Sequence, residues 1–338
     1  MTNEMQRLSL DYAYAYGRPE QSAIFRQSAE DFYVDENLCV DFADQGEHFW
    51  LHIEKCDENT DWVAKKLANY FSIRTMDVGY SGKKDRRAVT RQWFSLYLPG
   101  REHQLDWQQF IEFSQLNARL LSCHSHTQKL RLGAHVSNHF RIRLRDVVKT
   151  ESLTERLERI ADRGVPNYFG EQRFGREAGN LRKAETWARD PRSIRDRRLR
   201  SLIISAARSQ LFNRVLSHRV GLGQQWREAL VGDIDSHIAT GPLWGRGRSL
   251  VAEDCAQLEH TVLAEYGDWC AALEHAGLSQ ERRPLCLQPR SLSWNFADTV
   301  LELSFELGPG EFATSVLREL VTLRAHVDRA AHADVADD

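Results

Sequence analysis

One carboxylate stands out by its neighbours. Asp85 lies in the short polar loop Ser81-Gly82-Lys83-Lys84-Asp85-Arg86-Arg87, with Arg91 a little further on. Flanking cations favour an ionised carboxylate. An aspartate held anionic can attack as a nucleophile or orient a phosphate, and Lys83, Arg86 and Arg87 can grip a nucleic-acid backbone around it. The same charges also fit an exposed loop in which Asp85 merely balances its neighbours. Other chemistries find little support. Cys123-His124-Ser125-His126 is the sole Cys/His cluster, and without a second CxxC or HxxxH no metal site is expected. HExxH, DxDxDG, GxxxxGK[ST], GxGxxG and GxSxG patterns are all missing, which argues against nucleotide cofactors and serine hydrolysis. An aspartate-dependent nuclease would need further carboxylates to hold Mg²⁺ beside Asp85, and the loop supplies none.

Several aromatic residues are candidates to stack on bases: Trp93, Phe140, Tyr168, Phe169, Phe174 and Phe312. Phe169 and Phe174, bracketed by Gly170 and Gly175 with Arg173 between them, read as less core-like because their loop is so polar. The formal net charge is only -3, but it is unevenly spread: about -3 over residues 1–140, +10 over 141–228 and -10 over 229–338. The basic stretch is mostly arginine, including Arg173, Arg176, Arg182, Arg189, Arg192, Arg195, Arg197, Arg198 and Arg200. Arginine suits phosphate because its planar fork donates two parallel hydrogen bonds. The asymmetry points to an anionic partner, or to a basic segment neutralised by an acidic one in the same chain.

The elements that must position these residues follow from periodicity. Glu47–Lys55 alternates as a strand, with Phe49, Leu51 and Ile53 on one face. Residues 60–72 read as a helix in which Trp62, Val63, Leu67 and Tyr70 recur at helical spacing, capped by Asn59 or Thr60. Strands are predicted over 76–80 and 92–98, on either side of the Asp85 loop. Phe140–Arg145 alternates Phe140, Ile142 and Leu144 against Arg141, Arg143 and Arg145. Helices are predicted over 151–163, 180–189, 194–219 (with Ser193 as cap) and 253–275, a loop over 241–248, a strand over 299–307 and a last helix over 313–330. Strands at both ends of a helix-rich basic middle indicate one sheet domain interrupted by an insertion.

The chain has 338 residues, 42% hydrophobic and 28% charged, which excludes a wholly disordered protein. No apolar run approaches the roughly 18 residues of a membrane span, and the N-terminus does not read as a signal peptide. Six scattered cysteines with no CxxC pair read as reduced thiols in a cytoplasmic protein.

At these residues the chain resembles a known family. Gly82-Lys83-Lys84-Asp85-Arg86-Arg87-Ala88-Val89-Thr90 is similar to the catalytic motif of the TruD family of tRNA pseudouridine synthases, and Val165–Gly175 is similar to its second signature. Shorter matches run in order along the chain: Ala29–Phe32, Leu130–Gly133, Asn138–Phe140, Ser205–Ser209, Leu292–Asn295 and Phe312–Ser315. The resemblance implies an α+β fold. A catalytic domain with a mixed, largely antiparallel sheet flanked by helices would span 1–163 and 287–338, with a TRUD domain inserted at 164–286. It implies conversion of uridine 13 of tRNA to pseudouridine, with Asp85 as nucleophile and without metal or nucleotide cofactor. Arg26, Glu30, Lys84, Asn138, Phe140 and Phe312 would be substrate-binding, with Arg26 where the family usually has Lys. Lys83, Arg86, Arg87, Arg173 and Phe169 would contact RNA. Nothing points to an obligate dimer, so a monomer acting on tRNA is expected; a tRNA-binding module or RNA chaperone without turnover is the alternative.

Overall fold

The structure, a computed structural model, describes residues 7–42, 44–100 and 106–325. In chain order the strands are β1 (Ser22–Phe25), β2 (Phe32–Asn37), β3 (His48–Cys56), β4 (Val78–Tyr80), β5 (Val89–Tyr97), β6 (Ala118–His126), β7 (Ser137–Arg145), β8 (Val165–Pro166), β9 (Thr240–Leu243), β10 (Glu281–Pro284), β11 (Cys286–Leu287), β12 (Arg290–Ala297), β13 (Val300–Leu307) and β14 (Thr322–Ala325). The α-helices are α1 (Thr60–Tyr70), α2 (Trp107–Ser114), α3 (Glu151–Arg163), α4 (Gly179–Arg189), α5 (Arg197–Gly221), α6 (Glu253–Leu263), α7 (Gly267–Glu274) and α8 (Ala313–Leu320).

The chain divides into two units. The sheet unit comprises 20–154, 289–310 and the chain from Val321; the helical unit comprises the chain up to Pro19, 155–288 and 311–320. The segment before Pro19 and the segment holding α8 belong with the helices, because Ala15 and Tyr16 donate backbone hydrogen bonds to the buried Glu319 carboxylate of α8.

In the sheet unit the strand order is β12-β13-β7-β2-β5-β3-β6, with β4 added to β5 and β1 bridging β7 and β14. Among the described strands of this unit only β2–β5 and β1–β14 pair in parallel. Period two decides which residues share a face. Phe32, Val34 and Glu36 of β2 lie with Asn138, Phe140 and Ile142 of β7, and Phe305 of β13 pairs with Phe140. Tyr33, Arg141, Arg143 and Ser304 fall on the opposite face. Helix α1 starts where the Asn59 side chain accepts from the Asp61 amide. Its buried stripe, Val63, Ala64, Leu67 and Ala68, packs on Leu51, Ile53, Phe94 and Leu96. Trp62 is off that stripe and 46% exposed, which corrects the reading of its periodicity.

Two further expectations change. Residues 322–325 form strand β14 rather than continuing a helix, since Thr322 to Ala325 find a parallel partner in Ser22 to Phe25; residues 326–330 lie outside the described residues. Helix α5 begins at Arg197, because Asp196, not Ser193, accepts from the Leu199 amide at 2.6 Å. The helical unit has its own core, built from Leu181 and Trp187 of α4, Ile203, Leu211, Phe212 and Val215 of α5, and Trp269 of α7. No helix among the described residues is long and apolar enough to cross a membrane.

Candidate active site

The Asp85 loop joins β4 to β5 and is pinned along its length. Glu36 of β2 is buried, and its carboxylate accepts hydrogen bonds from Lys84 Nζ at 2.5 Å, from Ser81 Oγ, and from the Trp93 amide at 3.0 Å. Thr60, the first residue of α1, accepts from the Lys84 amide at 3.0 Å and donates to Gln92, whose amide nitrogen donates to the Gly82 carbonyl at 2.5 Å. The amide of Gly133, in a left-handed turn that suits glycine, donates to the Ser81 carbonyl at 2.6 Å. A loop of charged residues is thereby held by buried polar contacts at both of its shoulders.

Asp85 itself remains accessible, its side chain 40% exposed. The Arg26 guanidinium donates to Asp85 Oδ2 at 2.9 Å. Arg26 follows β1 in a left-handed backbone conformation (φ 56°), unusual outside glycine. That turn carries its guanidinium over the rings of Phe32, at 4.0 Å from the centroid, and Phe25, at 4.8 Å. Phe32 in turn touches Phe140, at 6.0 Å between centroids, and Phe140 stacks on Phe305 at 5.6 Å. Asn138 lies opposite Glu36 in the β2–β7 register, and its Oδ1 is buried with no hydrogen-bond partner among the described residues. A buried acceptor without a donor costs free energy.

Burial and charge shape the surroundings. Lys55 of β3 is fully buried; burial pushes its ammonium down to about 8, Lys84 adds repulsion, and Glu58 and Asp85 oppose the shift. His135 is held below its ordinary value by burial and then by Lys84.

The remaining predicted residues divide. Lys83, Arg86 and Arg87 are exposed on the loop, Lys83 pairing with Asp61 at 2.6 Å and Arg86 donating to the Asp57 carbonyl at 3.3 Å. Lys84 does not present its ammonium outward: the Glu36 pair buries it, so it serves as an anchor of the loop. Glu30 lies exposed in a groove with Tyr33, Arg141 and Arg143, on the sheet face opposite Phe140. The cause is the tight turn Ala29–Asp31, where Asp31 rather than Glu30 faces inward and takes both nitrogens of a bidentate Arg145. Burial opposes ionisation of Asp31, and the Arg145 hydrogen bonds outweigh it, leaving its carboxyl below the usual range. Phe169 and Phe174 are 9% and 0% exposed, so the polar-loop reading is corrected. The loop folds its rings into the helical core, where Phe169 meets Phe212 at 5.5 Å and lies under Arg283 at 4.3 Å. Arg173 is spent there too, donating to Ser205 Oγ at 2.9 Å. Phe312 belongs to the helical unit, 6.1 Å from Phe169. His124 stacks on Phe42 and His126 packs edge-on against Trp50.

Phe32 and Glu36 were missed as site residues. Glu36 had a legible signal, a carboxylate at the third position of the apolar face that Phe32 and Val34 begin, where a buried charge demands a partner.

The family model described as tRNA pseudouridine synthase D (TruD) matches residues 11–187. The chain is 47% identical to a tRNA pseudouridine synthase D from Cellvibrio japonicus, over 97% of this chain and 98% of that one. It is 42% identical to the Aeromonas hydrophila protein of that name, over 91% and 93%. The fold matches the crystal structure of a putative tRNA pseudouridine synthase D from Methanosarcina mazei with a TM-score of 0.70, at 19% identity, covering 94% and 97% of the two chains. The chain belongs to the tRNA pseudouridine synthase D family.

Proposed function

We propose that this protein isomerises uridine 13 of tRNA to pseudouridine, with Asp85 as the nucleophile. The observation that carries the reading is the Asp85–Arg26 pair: an accessible carboxylate, charge-paired at 2.9 Å, on a loop locked to the sheet and beside a wall of phenylalanines. In the reaction the N-glycosidic bond breaks, the uracil turns in place, and a carbon–carbon glycosidic bond forms. No electron is gained or lost overall, so the chemistry calls for neither a redox cofactor nor an energy donor. It does call for an ionised carboxylate to form and release a temporary bond, whether at C1′ or C6, or to take a sugar proton. It also calls for a surface that retains the detached base. Phe140 and Phe32 supply rings for stacking, and the open Asn138 Oδ1 suits an N–H of the uracil edge. Arg26 keeps the positive charge beside Asp85 and cannot deprotonate, so its role is electrostatic. Phe312 is a further substrate-binding ring in this reading, and the protein works as a monomer.

The test is to incubate unmodified tRNA with the purified protein in EDTA and map pseudouridine. Product with the native protein and none with Asp85→Asn is expected. Activity that survives in Asp85→Asn removes the nucleophile assignment; tRNA binding without product from the native protein favours a binding module or chaperone.

A further inference from the structure

Of the nine tryptophans, only Trp62 is exposed. Tryptophan is the side chain with most to gain from burial, and an open indole on a polar helix face calls for a reason. Trp62 occupies the first turn of α1. Lys65 and Lys66, three and four residues on, bring their ammonium groups to 5.9 Å and 4.8 Å from its ring centroid. Neither lysine has a carboxylate partner among the described residues.

Its place relative to the catalytic loop is fixed by the two residues before it. Thr60 Oγ1 accepts from the amide of Lys84, the residue next to Asp85. Asp61 accepts from Lys83 at 2.6 Å and from the Tyr80 hydroxyl at 2.8 Å. The start of α1 and the Asp85 loop are therefore one hydrogen-bonded body within the sheet unit, and Trp62 stands at its edge, 46% exposed.

We propose that Trp62, with Lys65 and Lys66, is a stacking platform that receives an unpaired base of the substrate tRNA beside the target uridine. The inference rests on the tRNA reading above and extends it to a contact outside the pocket. A uridine drawn out of its stack leaves its neighbours without a partner face. An exposed indole replaces that face whatever the base, and two ammonium groups beside it suit the flanking phosphates. The exposed Lys83, paired with Asp61 at 2.6 Å, joins the Asp85 loop to this turn of α1.

The experiment measures tRNA affinity in the Asp85→Asn background, which blocks turnover, for Trp62, Trp62→Phe and Trp62→Ala. Base–aromatic stacking of the usual strength predicts a loss of roughly 5- to 100-fold for Trp62→Ala, and recovery of most of it by Trp62→Phe. With Asp85 intact the loss is carried by KM. Because the ring is exposed, thermal stability stays within a few degrees of the parent. A tRNA abasic at one nucleotide flanking the target is then bound more weakly by the Trp62 protein, but no more weakly by Trp62→Ala than intact tRNA is. Equal affinity of Trp62→Ala and parent within twofold overturns the proposal and leaves the indole to a protein contact. So does an equal loss for Ala and Phe, or additive losses at every flanking position. If the native protein binds tRNA but forms no pseudouridine, the catalytic reading falls and the platform is still tested; if it binds no tRNA, both fall.

Discussion

At the scale of single residues, the pair Asp85–Arg26 owes its geometry to a backbone turn and a ring. The left-handed conformation at Arg26 ends β1 and aims the side chain back across Phe32, so the guanidinium is sandwiched between a π face and a carboxylate. A flexible ammonium would satisfy the charge but not the stacking. Nearby, Lys55 shows the cost of collecting cations under a site. Its ordinary value is 10.5 and its folded value about 8, with burial as the main cause. Below about pH 8 the group is protonated in both folded and unfolded chains, and the burial penalty is fully present. Between about 8 and 10.5 the unfolded chain binds more protons, so this group makes stability climb with pH. Urea unfolding of the native protein and Lys55→Met, compared from pH 7 to pH 10.5, should show a steeper rise for the native chain, with a differential of up to roughly 3 kcal/mol. Parallel curves would mean that the folded protein does not resist charging Lys55.

Elements hold the active loop in place more than its own sequence does. Glu36 and Lys84 form a buried ion pair 48 positions apart, and removing one partner strands the other charge in the interior, a loss of about 3–5 kcal/mol. Glu36→Gln should therefore lower the melting temperature and cut kcat at least tenfold, while tRNA affinity changes far less. Adding Lys84→Met should restore much of the melting temperature, since both charges are then gone, but not kcat, because the loop has lost its anchor. An unchanged kcat in Glu36→Gln would show that the loop keeps its shape without the pair. The elements also mark what local sequence carries. The β13 alternation and α3 were legible from periodicity, since Leu301, Leu303, Phe305 and Leu307 record their own burial. The charged loop around Asp85, between β4 and β5, was legible because its signal is local charge. The strand Thr322–Ala325 was not, because its stabilising partner lies some 300 residues away. Nor was the burial of Phe169, since a polar loop around a ring does not announce the Phe212 and Arg283 side chains that cover it. For the Phe140 floor, alternation told which way the ring faces but not that Phe32 completes it.

At the scale of the whole molecule, the small net charge conceals a division of labour among arginines. Arg173 is half-buried in the helical unit, where burial depresses its pKa and Ser205 takes its hydrogen bond. Arg192, Arg195, Arg197 and Arg198, around the turn from α4 to α5, are exposed and make no ion pair among the described residues. The two aspartates in that stretch are engaged by the backbone: Asp190 accepts from the Arg192 amide and Asp196 from the Leu199 amide. Four guanidinium groups thus face solvent together, the arrangement that displaces counterions from a polyanion. In the proposed reading they contact phosphates of tRNA, and affinity should fall steeply between low and physiological salt. Each arginine lost from a phosphate contact should flatten a plot of log affinity against log salt by about one unit or slightly less. Arg195, Arg197 and Arg198 changed together to Glu should weaken tRNA binding at low salt and reduce the slope by about 2 to 3. Filter binding across a salt series reads both quantities. If the triple variant keeps the native slope, the phosphates are held elsewhere, and the exposed cations of the Asp85 loop, Lys83, Arg86 and Arg87, become the surface to vary next.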